Sequence, residues 1–347
     1  MSTAIFRDNL YLQHDPGFDH VESPDRLQVV YDQLDNPDIA KQFVFPTAQA
    51  APFDILSLNH SKAHVERIAQ TAGRTFDALD QDTTTSAASY DAACLAAGAV
   101  VEGVRMVMQG EVDNCFALVR PPGHHAEHDR AMGFCLFNNV AIAGRYALEK
   151  LGVQRVIIID WDLHHGNGTQ NSFIDTDQVL YFSTHQFPYY PGTGSLHETG
   201  QGKGEGYTVN VPLTPGLGDE HYARIFNEIL APVVRQYQPE LILVSAGYDT
   251  AHNDPLGGMN ITTEGFAYMT RKVVELAEEV CDGRLVLTLE GGYNLQSLAN
   301  GVLAGLVELL GRTTLKDEVL AKLSDTKIPF PAFDSAQDEA AKKWQFP

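Results

Sequence analysis

The chain has 347 residues, of which 44% are hydrophobic and 20% charged, so a sizeable packed core is expected. Its formal net charge is −21, and a surface this acidic repels phosphate backbones, which argues against nucleic-acid binding. The same charge would attract cationic ligands, although it is also typical of a protein that charge repulsion keeps dispersed.

The cysteines and the first residues indicate a soluble protein of a reducing compartment. The stretch MSTAIFRDNLYLQHD has no basic region followed by an apolar run, so it does not look like a signal peptide. No apolar segment is long enough to span a bilayer, and we expect a cytoplasmic protein without a membrane partner. Free thiols are expected because no C-x-x-C pair occurs among the four cysteines: Cys94, Cys115, Cys135 and Cys281.

Strand-like and helical patterns alternate along the chain. In order, they are a helix at 90–110, a strand at 115–119, a helix at 138–152, a strand at 155–160, a helix at 219–237, a strand at 240–247, a helix at 262–280 capped by Thr262 or Thr263, a strand at 284–292 and a helix at 295–311. The apolar runs lack polar alternation, which is typical of central strands covered on both faces. The alternation predicts an α/β protein with a parallel sheet between helices.

We expect a single domain over residues 1–347, because no Ser/Gly-rich linker and no internal repeat divides the chain. Its core would cover about 1–312, and residues 313–347 would form a carboxyl-terminal extension packed on the surface. The glycine-rich segment 192–206 does not fit G-x-x-x-x-G-K-[ST], so a phosphate-binding P-loop is rejected.

Each predicted strand is followed directly by residues that can carry chemistry. The four segments are RPPGHHAEHDRAMGF, WDLHHGNG, YDTAHNDPLGG and GGYN. Ligands of open parallel sheets bind beyond the carboxyl ends of the strands. The four segments should therefore surround one crevice.

The stretch VIIIDWDLHHGNG suggests a metal site. Asp160, Asp162 and His164 alternate along the chain and should share a face. Asp249, at another strand end, can supply a further ligand. Oxygen and nitrogen donors with a vacant position are typical of a catalytic site for zinc or a similar divalent ion. The alternative is that the aspartates cap a helix and the histidines pack in the core.

Acid–base groups complete this pattern. His124 and His125 are adjacent at a strand-to-loop turn and could transfer protons near neutral pH. Tyr293 follows two glycines and could donate its phenol hydrogen to an oxyanion, although it could equally be a tyrosine packed at a strand end.

Taken together, these motifs resemble the histone deacetylase family of the arginase–deacetylase fold, a three-layer αβα architecture with a mostly parallel central sheet. The likeness runs from about Asp15 to Gly311. H-V-E-S-P-D-R-L near the start, and Asn167 where animal class I enzymes carry Asp, make the chain similar to class II and bacterial members. The motifs occur in the family's order: R-P-P-G-H-H-A, D-W-D-L-H-H-G-N-G-T, Y-P-G-T-G, A-G-Y-D, D-P-L-G-G and L-E-G-G-Y.

The resemblance implies roles for individual residues. Asp162, His164 and Asp249 would bind one catalytic zinc ion. His124 and His125 would be the catalytic histidines, with Asp160 behind the first and Asn167 behind the second, and Tyr293 would donate to the carbonyl oxygen. One or two structural potassium ions are also implied. The inner one would use Asp160, Asp162, His164, Ser183 and Thr184, and the outer one the carbonyls of Phe173, Thr176, Val179 and Tyr207.

The family also implies a tunnel for the acyl-lysine side chain. Gly133 and Phe134 would line it, Asp82 would hold the substrate backbone at the rim, and Arg26 would lie near the acetate exit. Two residues depart from relatives. Tyr190 stands where many carry Phe as the second wall, and Leu256 stands where polyamine-specific enzymes carry a Glu gatekeeper.

The expected function is zinc-dependent removal of acetyl or other acyl groups from acyl-lysine in a peptide or protein. Alternatives are deacetylation of acetylpolyamines or other small amides, and a non-catalytic acyl-lysine binder, for which the histidines and Tyr293 would be superfluous. An arginase-like dinuclear site would need D-x-H-x-D, which fails at Gly166, and G-x-S-x-G of serine hydrolases is absent. Iron or cobalt could replace zinc, and a homo-oligomer is possible.

Overall fold

The computed structural model describes residues 1–347 and is built around a seven-stranded sheet in which every neighbouring pair is parallel. The strand order is β1-β4-β9-β8-β5-β6-β7, and β2 and β3 form a separate small hairpin. The strands are β1 Thr3–Phe6, β2 Asp77–Ala78, β3 Thr84–Thr85, β4 Asn114–Ala117, β5 Val156–Asp160, β6 Val179–Gln186, β7 Thr208–Leu213, β8 Leu241–Ala246 and β9 Leu285–Leu289.

Thirteen α-helices surround the sheet. Short 3₁₀ turns occur at Asn9–Gln13 and Gly202–Gly204, and a π-helical stretch, Phe226–Leu230, joins two of the α-helices. The α-helices are α1 Asp25–Leu34, α2 Pro37–Ala40, α3 Phe53–Leu56, α4 Lys62–Ala69, α5 Ser89–Met108, α6 Asn139–Leu151, α7 Asn167–Phe173, α8 Asp219–Ile225, α9 Ala231–Tyr237, α10 Thr263–Cys281, α11 Leu295–Leu309, α12 Asp317–Ser324 and α13 Pro331–Ala340.

The helices form two layers on the sheet. Helices α5, α6 and α7 pack together against one set of strands, whereas α10 packs on β8 and β9 and is joined by α1 and α11. The prediction of an αβα architecture with a parallel sheet is confirmed. The four predicted strands correspond to β4, β5, β8 and β9, which are buried throughout.

Helix boundaries also agree closely with the sequence pattern. Thr262 caps α10, and its hydroxyl accepts hydrogen bonds from the backbone N–H groups of Glu264 and Gly265. The predicted helix at 219–237 contains the π-helical stretch between α8 and α9. Five strands were not predicted from the sequence: β1, β6 and β7 of the main sheet and the hairpin strands β2 and β3.

The last residues pack closely on the rest of the chain. The indole N–H of Trp344 donates to the Gly206 carbonyl at 3.0 Å, and its ring meets the rings of Tyr207 and Tyr237 edge-on. The division into a core and an extension near residue 312 stays a prediction. None of the helices combines the length and the hydropathy needed to cross a membrane.

Candidate active site

The chemistry-bearing residues meet because four neighbouring parallel strands end at the same edge. His124, Asp162, Asp249 and Tyr293 follow β4, β5, β8 and β9, which lie side by side in the order β4-β9-β8-β5. Parallel strands place their carboxyl ends together, and this edge is where open α/β sheets bind ligands. The predicted crevice therefore lies over the middle of the sheet.

Three potential metal ligands converge there. Asp162, His164 and Asp249 are buried, and one donor atom from each lies within 4.8 Å of the other two. The Nδ1 atom of His164 is 3.0 Å from Asp249 Oδ2 and 3.2 Å from Asp162 Oδ1. Backbone N–H groups hold the two carboxylates, since Gly291 donates to Asp162 and Leu163 donates to Asp249, each at 2.8 Å.

This cluster has the chemistry of a divalent-cation site. Burial and the negative charge of Asp162 raise the pKa of Asp249 above its usual value, because two buried carboxylates cannot both ionise cheaply without a positive partner. Two carboxylates and an imidazole are ligands that zinc accepts in catalytic sites, where a fourth position stays open. The residues present therefore fit a bound divalent ion.

The tandem histidines have different partners. His124 Nδ1 lies 3.0 Å from Asp160 Oδ2, and His125 Nδ1 lies 2.8 Å from Asn167 Oδ1. Tyr181 also donates its hydroxyl to Asp160 Oδ2, at 2.9 Å. The Asp160 and Asn167 pairings expected from the resemblance are thus present as contacts.

The two imidazoles also differ in charge. Burial disfavours protonation of His124, but the carboxylates of Asp162 and Asp160 outweigh it and raise the pKa of His124 to about 10. Burial, together with the positive charges of His124 and His164, holds the pKa of His125 well below its usual value. Protonation is thus favoured at His124 and disfavoured at His125, which makes His125 the better proton acceptor of the two.

Tyr293 is positioned by a tight glycine turn. A Cβ atom on Gly291 would lie 2.4 Å from Asp249 Oδ2 and 2.6 Å from Asp162 Oδ2, so only glycine lets this strand end approach the ligands. Burial raises the pKa of Tyr293 well above its usual value. The phenol consequently stays protonated near neutral pH and can donate a hydrogen bond.

A cavity of about 220 Å³ leads from the surface to these groups. Phe134 and Tyr190 line it, with ring centres 6.1 Å from Tyr293 and 5.1 Å from His125 respectively. At the rim, the Asp82 carboxylate accepts a hydrogen bond from the Gly133 N–H at 3.1 Å. The lining residues are Asp82, Pro122, His124, His125, Gly133, Phe134, His164, Tyr189, Tyr190, Leu256, Gly291 and Tyr293.

Tyr189 was missed by the sequence reasoning. Its ring stacks on His164 with centres 5.7 Å apart, and 41% of the residue remains exposed. Its position directly before Tyr190, in the segment that follows β6, is the only signal that could have indicated it.

Arg26 lies outside the cavity, behind Tyr293. Its guanidinium belongs to a fully buried network in which Glu22 accepts from both Arg26 and Arg120. Glu290 is buried nearby and accepts from the backbone N–H groups of Gly123 and His124. Glu22, Arg120 and Glu290 were not singled out from the sequence, although each lies in one of the quoted motifs.

The residues expected to bind the inner potassium ion are adjacent. Ser183 pairs with Asp160 across β5 and β6, and the buried Thr184 hydroxyl has no hydrogen-bond partner in the protein. Two of the carbonyls expected at the outer ion each accept a backbone hydrogen bond, that of Phe173 from Thr176 and that of Tyr207 from Tyr181, and each oxygen keeps a second lone pair. Val179 is the first residue of β6.

Comparison with known proteins agrees with this arrangement. A sequence model of the histone deacetylase domain matches residues 20–309. A probable deacetylase of Archaeoglobus fulgidus is 42% identical over 299 residues, covering 85% of this chain and 82% of that protein. Histone deacetylase 5 of Arabidopsis thaliana is also 42% identical, over 325 residues, but the match covers 88% of this chain and only 49% of that protein.

A solved structure extends the likeness to the fold. The crystal structure of the HDA15 HD domain superposes with a TM-score of 0.86 and 35% identity, and the match covers 99% of both chains. The matching domain includes every residue of the strand-end cluster described above. With its parallel sheet between helical layers and this match along most of its length, the chain belongs to the histone deacetylase family and has the arginase–deacetylase fold.

Proposed function

We propose that this chain is a zinc-dependent deacetylase that hydrolyses the side-chain amide of acyl-lysine. The observation that carries the proposal is the convergence of Asp162, His164 and Asp249 beside a cavity that His164 lines. His125 and Tyr293 line the same cavity, so a proton acceptor and a hydrogen-bond donor lie beside the cation site.

The three ligands would leave one coordination place free. When bound, a divalent ion supplies Lewis acidity, which polarises an amide carbonyl and lowers the pKa of water from 15.7 to about 7. Zinc is our choice of metal because of the donor set, and iron or cobalt would serve the same chemistry.

The protein's own groups would handle the protons and the developing charge. His125 accepts a proton from the attacking water and later delivers it to the leaving lysine amine. His124 contacts the Asp160 carboxylate, which would stabilise a positive charge on its ring beside the reaction. Tyr293 donates its phenol hydrogen to the carbonyl oxygen as negative charge develops there.

The cavity walls would select and orient the substrate. Phe134 and Tyr190 flank a space that suits an extended alkyl chain, and they exclude water from the amide. Asp82 at the rim can accept a hydrogen bond from the substrate backbone. We also propose potassium at the inner site, where the Thr184 hydroxyl is buried without a partner, and at the outer group of carbonyls.

The substrate class is decided by comparing kcat/KM of the zinc-loaded protein on an acetyl-lysine peptide, acetylputrescine and acetylspermidine. We expect the peptide to be preferred, because Leu256 provides no carboxylate to hold a second ammonium group. Preference for the polyamines would reassign the substrate. Tight binding of the peptide without turnover would indicate an acyl-lysine binder and contradict the enzymatic proposal.

A further inference from the structure

The carboxylate of Glu127 lies directly behind the amide that faces His125. Asn167 donates from Nδ2 to Glu127 Oε1 at 2.5 Å, while its Oδ1 atom faces His125 Nδ1 at 2.8 Å. Asn171 donates to both oxygens of the same carboxylate, at 2.9 and 3.1 Å. The side chains of His125, Asn167 and Glu127 thus form one continuous line of hydrogen bonds.

We propose that Glu127 is a positioning residue that fixes the tautomer of His125 through Asn167. The inference rests on the proposed function, in which His125 must offer a lone pair at Nε2. Glu127 itself is not among the residues that line the cavity, and it touches no reacting atom.

The argument depends on which groups can donate. An amide side chain presents an acceptor at one end and donors at the other, and it can rotate to exchange them. An ionised carboxylate can only accept, so Glu127 forces the NH₂ end of Asn167 toward itself and the oxygen toward His125. His125 Nδ1 must then carry the hydrogen, which leaves Nε2 as the proton acceptor.

Other acceptors near the amide are weaker. The His125 carbonyl oxygen lies 3.4 Å from Asn167 Nδ2, at the outer limit for a hydrogen bond to oxygen. The Met132 sulfur lies 3.5 Å from the same atom, and a thioether is a weak acceptor. A charge-assisted bond at 2.5 Å dominates such contacts. Glu127 is therefore the group that decides the orientation of the amide.

The neighbouring histidine, His124, needs no further residue to fix its tautomer. His124 Nδ1 faces the carboxylate of Asp160, at 3.0 Å, and an ionised carboxylate has no donor to turn toward the ring. The two adjacent histidines consequently depend on their surroundings in different ways. Only the one backed by an amide requires a further residue to set its tautomer.

Reversing the hydrogen-bonding character of position 127 tests the inference. In Glu127→Lys, a donor-only head group turns the Asn167 oxygen toward itself, so the NH₂ end faces His125 and the hydrogen moves to Nε2. We expect kcat of the zinc-loaded protein to fall by about 10²-fold, the lower end of what general acid–base catalysis contributes, with little change in KM. Glu127→Gln keeps a hydrogen-bond acceptor at this position and should retain most of the wild-type turnover that Glu127→Lys loses.

A second substitution provides the rescue. Adding Asn167→Asp to Glu127→Lys places a carboxylate next to His125. This carboxylate accepts a hydrogen bond in either orientation and pairs with the new lysine ammonium group. This double variant should regain turnover relative to Glu127→Lys alone. If the double variant loses as much as the single one, Glu127 supports the fold rather than the tautomer, and the inference is wrong.

A spectroscopic measurement separates this inference from the proposed function. The ¹⁵N shifts of the His125 ring, read by NMR in the zinc-loaded protein, should report hydrogen on Nδ1 in the wild type and in the double variant, and on Nε2 in Glu127→Lys. An unchanged tautomer in Glu127→Lys would overturn the inference, whether or not the wild type shows turnover. Absence of wild-type turnover would overturn the proposed function alone.

Asn171→Ala is the matched control. It removes the other hydrogen bonds to the Glu127 carboxylate but leaves the one from Asn167 in place. We expect wild-type kcat and an unchanged His125 tautomer. A loss as large as that of Glu127→Lys would show that the effect does not pass through Asn167.

Discussion

Arg26 lies against the ring of Tyr293, with its guanidinium carbon 4.9 Å from the ring centre. The same guanidinium donates to the Gly292 carbonyl at 2.7 Å and to the Glu290 carbonyl at 2.5 Å. The buried Arg26 therefore fixes both the ring of Tyr293 and the backbone of the turn on which Tyr293 lies. The phenol is held in place before any substrate enters.

Tyr293→Phe should fold, bind zinc and lose most turnover. The ring and its contact with Arg26 remain, but the hydrogen-bond donor is gone, and loss of one such donor costs about 10²–10³ in kcat. The measurement is kcat on an acetyl-lysine peptide alongside zinc content. Tyr146→Phe, on α6 outside the cavity, is the control, and near-normal deacetylation by Tyr293→Phe would contradict the assigned role.

His164→Ala should lose stoichiometric zinc. Removing the only imidazole of the cluster leaves two carboxylates facing each other across the site. Elemental analysis of the purified protein checks this, with His197→Ala as the control because that side chain is 77% exposed. A full equivalent of zinc retained in His164→Ala would mean that the ligands are wrongly chosen.

Glu22→Gln should destabilise the fold. Glu22 is fully buried and accepts hydrogen bonds from Arg26 and Arg120, so neutralising it leaves two buried guanidinium groups without their counter-charge. Breaking a buried ion pair in this way costs about 3–5 kcal/mol. Urea unfolding measures the difference. Glu111→Gln, which breaks a solvent-exposed pair with Arg105, should cost far less, and equal losses in the two variants would refute the prediction.

The contribution of Glu22 to the free energy of unfolding should decrease at acidic pH. Burial opposes its ionisation, but Arg120, His14 and Arg26 outweigh burial and hold the pKa of Glu22 well below its usual value. Because the pKa of Glu22 is lower in the folded than in the unfolded protein, its stabilisation is fully present above the unfolded pKa of about 4.3. The stabilisation is lost as the pH falls below that value. The stability difference between wild type and Glu22→Gln should therefore be constant from pH 5 to 7 and shrink in more acidic urea titrations. If the stability difference between the two proteins grew below about pH 4, the pKa of Glu22 would be raised by folding rather than lowered, and this prediction would be wrong.

The strands that were predicted and those that were missed differ in composition. Strand β5, VIIID, is apolar up to its last residue, and a run of this kind predicts a central strand by itself. Strand β6, VLYFSTHQ, contains Ser183, Thr184 and His185, which are all buried. Polar residues inside a strand look like a loop in the sequence, because only packing by other elements covers them.

The candidate site also contains residues that the sequence indicated and contacts that it did not. The sequence motifs were enough to indicate Asp162, His164 and Asp249, since carboxylates and imidazoles at strand ends have few other uses. The line from His125 to Glu127, and the stacking of Tyr189 on His164, depend on how separate loops approach each other. No local pattern encodes such contacts.

By itself, the sequence determined the α/β class, the strand ends that carry the chemistry and the donors of the candidate metal cluster, because hydrophobic periodicity and side-chain chemistry are local properties. Only the tertiary structure decided the strand order β4-β9-β8-β5 that brings those ends together, the burial of Glu22 between two arginines, and the direction in which Asn167 faces. These features arise from contacts between residues far apart in the chain. Their free energies depend on burial and mutual orientation, which exist only once the chain has folded.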